Sequence, residues 1–332
     1  MIKKMFGISV AVMLLVAGSL WLVFSDKIAR VQVVSSLFTG AEQIDNFNRM
    51  HKMFPVTTMP AAEQPYSFPV AQSAPLPAEF SFRGEQVETE EFLARTDTGA
   101  VLVVKDGAIQ FEQYWRTGGQ RQTWLSMSVA KSFISALVGI AVDQGHIRSI
   151  ADAVTDYAPE LTGSAYDNVP IKDILQMASG ASWNEDYGDP ESDINRFGQI
   201  FALGGSMNRF AATLIREMEP GTFNRYNSTD TQVLGLLLTR ATGQTVTEYM
   251  IENLWQPMGA ETTGYWLTDL ENMEMAFGGL NISARDYAKL GELYRLGGLF
   301  NGHQIVPADW VAASIVPDAP HLMPGDNPAS DW

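Results

Sequence analysis

Ser128 and Lys131 stand three residues apart at the head of a long apolar run, Phe133-Ile134-Ser135-Ala136-Leu137-Val138-Gly139-Ile140-Ala141-Val142, and the next charge is Asp143. Positions i and i+3 share a helix face, so the hydroxyl and the amine can meet. A helix that is apolar on nearly every side is buried, and it needs other layers of structure packed around it. A buried lysine is costly unless it has a partner or a task. Beside a serine at a helix N-terminus, it can take the hydroxyl proton and leave an alkoxide near the positive end of the helix dipole. The competing reading is a serine that caps the helix and a lysine that snorkels to the surface.

A second cluster lies downstream in Pro220-Gly221-Thr222-Phe223-Asn224-Arg225-Tyr226-Asn227-Ser228-Thr229-Asp230. Pro-Gly marks a turn. Ser228 or Thr229 is expected to cap the helix that continues through Val233 to Leu238. Tyr226 then precedes that helix, where a phenol can point into a cleft. The alternative is a buried tyrosine with a satisfied hydroxyl.

Composition removes several classes of function. The formal charge of −16 disfavours a non-specific grip on nucleic acid. There is no cysteine, hence no disulfide and no thiol catalysis. The four histidines stand in no H-E-x-x-H pattern, and no serine sits in G-x-S-x-G. A zinc enzyme and a Ser-His-Asp hydrolase are therefore poorly supported, and neither metal nor organic cofactor is expected.

Three regions are expected. Residues 1–24 hold Lys3 and Lys4 and then the uncharged, mainly apolar run Met5 to Phe24. Twenty helical residues span about 30 Å, so this run predicts an inner-membrane anchor in the lipid bilayer with the body outside. The alternative is a signal peptide cleaved near Ala17-Gly18-Ser19, giving a secreted periplasmic protein. Residues 25–77, punctuated by Pro55, Pro60, Pro65, Pro69 and Pro75, read as a tether and wrapping segment. Residues 78–332 read as the functional domain. Within it, Gly99–Val104 and Ala108–Trp115 flank Lys105-Asp106-Gly107 as a β-hairpin.

The Ser128/Lys131 and Tyr226/Ser228 segments together resemble the serine β-lactamase and penicillin-binding-protein family. The similarity is greatest to its branch of class C β-lactamases, D-alanyl-D-alanine peptidases, family VIII esterases and 6-aminohexanoate-dimer hydrolases. Leu175–Gly180, Gly278–Asp286 and Gln304–Pro307 add to it in the right order. The resemblance implies an α+β fold, an α/β sandwich with an antiparallel sheet flanked by helices and a helical lobe. It also implies a serine hydrolase that cleaves an ester, an amide or a short peptide-like substrate through an acyl-enzyme. Ser128 would be the nucleophile, Lys131 its base and Tyr226 the proton relay. A D,D-peptidase or β-lactamase, and a non-catalytic sensor that keeps the fold, stand as alternatives.

In 6-aminohexanoate-dimer hydrolases a similar acidic, aromatic loop contacts substrate. Tyr187, Glu185, Asp186 and Asp193 are the matching candidates here, with a solvated acidic loop as the alternative. Ser228 and Asn281 complete the substrate-binding candidates. Ser228 stands where class C β-lactamases carry asparagine, which moves weight from β-lactams toward esters and amides. The family's third motif, on a C-terminal strand, has no match before Trp332. The expectation is that the C-terminal strands are missing, and with them one oxyanion donor.

Overall fold

The computed structural model describes residues 21, 24–38, 43–72, 74–325 and 327–331. The apolar run forms the helix Ala130–Asp143. Its Phe133, Ile134, Leu137 and Val138 are fully buried, and burial stabilises each such side chain by about 1.5–3 kcal/mol. The helix packs against a second long one, Ser228–Thr242. Asn227 caps that second helix by accepting from the Thr229 backbone N–H. The cap thus falls one residue earlier than expected, because Asn227 is the residue still extended (φ −139°) where the helix begins.

A four-stranded antiparallel sheet shares the same core, in the order Val56–Met59, Gly264–Leu267, Leu280–Ile282 and Trp124–Leu125. Trp124–Leu125 runs straight into a 3-10 turn, Met127–Val129, and from there into the central helix. The sheet therefore fixes the height at which Ser128 is presented. A separate hairpin pairs Ala100–Lys105 with Ala108–Tyr114. Its turn places both Asp106 (φ 52°) and Gly107 (φ 77°) in the left-handed region, which favours the Asp-Gly pair. Arg285 ties the hairpin to the body through two hydrogen bonds to Glu112, at 2.8 and 2.6 Å. The whole is an α+β fold of helices and antiparallel sheets.

The segment read as a tether and wrapping segment holds ordered elements. Helix Gln43–Met53 buries Phe47 and Met50, and the strand Val56–Met59 is an edge of the sheet. Pro55 and Pro60 bracket that strand rather than break it.

The inner-membrane placement is corrected. Among the described residues no helix is long and apolar enough to cross a membrane. Of the run Met5–Phe24, only Trp21 and Phe24 are described, and the rest lies outside the described residues. The helix over residues 24–35 carries Asp26, Lys27 and Arg30. It lies along the body, with Val33 buried and Arg30 Nε donating to the Met53 carbonyl at 3.0 Å. The lipid bilayer as a partner rested on that anchor, and nothing among the described residues supports it.

Candidate active site

Ser128 sits in the 3-10 turn that leads into the central helix. Met127, just before it, has φ 45°, a conformation that costs a non-glycine residue energy and recurs at functional sites. One turn on, Lys131 Nζ donates to Ser128 Oγ at 3.2 Å, to Ser228 Oγ at 3.2 Å and to the Phe277 carbonyl at 3.1 Å. The same ammonium lies 5.0 Å from the Tyr226 ring centre and 5.2 Å from that of Phe277. The Tyr226 hydroxyl shares a hydrogen bond with Ser128. Ser128, Lys131, Tyr226 and Ser228, drawn from two sequence segments about a hundred residues apart, thus meet at one point.

Burial pushes the Lys131 ammonium down to about 8, against the carboxylates of Glu185 and Asp230, which favour its charged form. Burial also raises the Tyr226 phenol; its hydrogen bond with Ser128 opposes this and Glu185 adds to it. The result is an amine that can be neutral near neutrality beside a hydroxyl, with a protonated phenol in reach of the same oxygen. That set can move a proton off Ser128 and return one to a leaving group.

Glu185 faces the protein. Its Oε1 accepts from Ser228 Oγ at 2.6 Å and from the Tyr187 hydroxyl at 3.2 Å. Its Oε2 accepts from the Ser228 backbone N–H at 3.1 Å and from the Trp183 indole N–H. Tyr187 stands at the rim, 44% exposed. The structure does not bring Asp186, Asp193 or Asn281 to this point. Asp186 accepts from the Gly188 N–H, and Asp193 accepts from the Asn184 N–H and Arg196. Asn281 is buried in the sheet, its amide donating to the Gly279 carbonyl. Asp186 and Asp193 brace their own loop, while Asn281 is held by its amide, its Oδ1 having no hydrogen-bond partner among the described residues.

Asp230 was not foreseen. It is fully buried in the first turn of helix Ser228–Thr242, and its Oδ1 accepts from Ser179 Oγ at 2.7 Å and Tyr166 hydroxyl at 2.9 Å. Its Oδ2 has no hydrogen-bond partner among the described residues. Ser179 is held by Gly180, whose positive φ (77°) and close approach to the Met218 carbonyl leave no room for a side chain. Burial pushes the Asp230 carboxyl up to about 7, opposed by the bonds from Ser179 and Tyr166. A carboxyl normally titrates near about 4, so this group stabilises the fold fully below that pH, and the contribution is lost as pH rises through about 7. Asp230→Asn cannot ionise. Its melting temperature relative to the parent should therefore climb from about pH 5 to about pH 8; thermal melts across that range that run parallel would contradict the assignment.

The beta-lactamase family profile matches residues 88–330. The chain is 32% identical over 238 residues to a 6-aminohexanoate-dimer hydrolase of Paenarthrobacter ureafaciens, covering 69% of this chain and 59% of that one. It is 27% identical over 182 residues to a beta-lactamase of Yersinia enterocolitica, covering 53% of this chain and 43% of that one. The chain belongs to the beta-lactamase family, and it spans about half the length of these curated relatives. Among solved structures, a candidate 6-aminohexanoate-dimer hydrolase from Bacillus anthracis superposes with a TM-score of 0.73 at 22% identity, over 81% of this chain and 73% of that one. The hydrolase EstCE1, which has promiscuous acyltransferase activity, gives 0.52 at 18% identity, over 66% and 73%. Both share the fold.

Proposed function

We propose that this protein is a serine hydrolase that cleaves an ester or amide of a linear aliphatic acid through an acyl-enzyme on Ser128. The observation that carries this reading is the Lys131 amine, held down to about 8 by burial and 3.2 Å from Ser128 Oγ. Likeness to a 6-aminohexanoate-dimer hydrolase supports the substrate class. Neutral Lys131 takes the Ser128 proton as Oγ bonds to the carbonyl carbon. The carbonyl π pair moves to oxygen, and the Ser128 backbone N–H at the head of the helix is placed to stabilise it. The tetrahedral carbon collapses, the bond to the leaving group breaks, and Tyr226 passes that group a proton drawn from Lys131. Water then repeats the sequence on the acyl-Ser128 ester and frees the acid. Residues 78–332 are the hydrolase domain in this reading, with 25–77 packed against it.

Ser228 in place of an amide side chain favours esters and amides over β-lactams. Parallel assays with a short-chain nitrophenyl ester and a chromogenic cephalosporin test this, and faster turnover of the cephalosporin would reverse it. The base also sets a pH profile. Below its midpoint Lys131 is protonated and cannot accept, so kcat/KM should rise about tenfold per pH unit up to about pH 8 and then level. Glu185→Gln removes a negative charge that favours the ammonium, so the rising limb should move to lower pH. A limb that stays put in the variant would separate Glu185 from Lys131.

A further inference from the structure

A small, mainly apolar cavity of about 150 Å³ is lined by Met127, the residue that precedes the proposed nucleophile. Phe277, whose carbonyl accepts from Lys131 Nζ, and Gly278 line it beside Met127. Buried Met50, Leu125 and Phe201 also line it, while Phe38 (42% exposed) and Tyr187 stand at its open end. No charged side chain lines it. A space of about this volume holds a molecule as large as benzene.

Phe277 connects the cavity to the Lys131 amine. Lys131 Nζ is close to both the Tyr226 and the Phe277 rings. Phe277 lines the cavity and Tyr226 does not. If Tyr226 serves the leaving group, that group lies on the Tyr226 side, and the substituent on the other side of the carbonyl points along Phe277. Part of the opposite wall comes from outside the region matched to the family, residues 88–330. It is built by Val34, Leu37 and Phe38, from the N-terminal helix and the turn after it. Phe38 meets the Tyr187 ring edge-on at 4.9 Å. The helix approaches so closely that a side chain at Gly198 would lie 3.0 Å from Val34.

We infer that this cavity is the acyl pocket, that it takes an uncharged aliphatic chain of about six carbons, and that the N-terminal segment 34–38 sets its length. The inference rests on the acyl-enzyme reading above. It differs from a site for a cationic chain end, since both oxygens of Glu185 are taken by protein donors.

The test is a series of p-nitrophenyl esters from acetate to decanoate, with the 6-aminohexanoate ester as a charged member, on the parent and on Val34→Phe. In the parent, kcat/KM should rise about threefold to fivefold per added methylene up to hexanoate and then level or fall. The 6-aminohexanoate ester should trail its neutral isostere, the heptanoate. In Val34→Phe, the ratio of kcat/KM for hexanoate to that for acetate should fall at least about tenfold. A flat chain-length profile, or faster turnover of the ammonium ester, in a parent that does hydrolyse esters would overturn the pocket assignment. So would equal losses on acetate and hexanoate in the variant. The parent's own profile decides the matter even if the variant does not fold. A parent that neither turns over any ester nor reacts with a fluorophosphonate would overturn the acyl-enzyme reading, and the acyl pocket with it.

Discussion

Ser128→Ala should lower ester and amide hydrolysis by on the order of 10⁴-fold or more, the scale seen when a covalent nucleophile is lost, and the protein should stay folded. The change deletes one hydroxyl at the mouth of the site. The packing that fixes the central helix, through Phe133, Ile134, Leu137 and Val138, lies deeper and is untouched. Lys131 loses one acceptor and keeps two, Ser228 Oγ and the Phe277 carbonyl. Thermal melting should therefore move little while turnover vanishes. Measured kcat/KM within tenfold of the parent would place the nucleophile elsewhere, whatever the melt shows.

Lys131→Met carries the second large effect. Methionine has nearly the same length and can fill the space between the Tyr226 and Phe277 rings, where thioethers pack well. What it cannot do is accept a proton. Loss of general-base help lowers rates by about 10²- to 10⁴-fold. The pH profile gives a second readout: the rise toward about pH 8 should disappear along with the amine. Weak residual activity that still climbs through that pH would assign the limb to another group. Circular dichroism of the variant keeps a folding defect distinct from a chemical one.

How much of this was legible beforehand depends on the range of each interaction. The Ser128–Lys131 contact is local: an i,i+3 pair at the head of an apolar run has few ways to fold. The hairpin was legible because Asp106-Gly107 suits a turn with two positive φ angles. Tyr226 and Ser228 could be singled out, but their meeting with Ser128 depends on how two helices pack, and only the family resemblance pointed to it. The helix cap was misplaced because Asn227, Ser228 and Thr229 are all good caps, and the choice rests on which backbone stays extended.

The acidic loop shows a different limit. The family resemblance marked Glu185, Asp186 and Asp193 alike, yet Asp186 closes a tight turn on Gly188, Asp193 receives the Asn184 N–H, and of the three only Glu185 reaches Ser228. Side chains of one residue type can bind substrate or brace their own loop, and sequence does not separate the two. Asp230 carried a faint signal, an acid in the first turn of an apolar helix, but its burial comes from Tyr166 and Ser179, both more than fifty residues away. The contribution of residues 34–38 to the site, and the pairing of Val56–Met59 with Gly264–Leu267, are longer-range still. A proline-punctuated stretch reads as a tether until its partner strand is known.

The most direct test of the account is covalent trapping. The parent protein would be treated with a fluorophosphonate, weighed intact, digested and mapped by mass spectrometry. The account predicts one adduct per chain, carried by Ser128, forming faster as pH rises toward about 8 and absent from Ser128→Ala. An adduct on any other residue, or equal labelling of parent and variant, would contradict it.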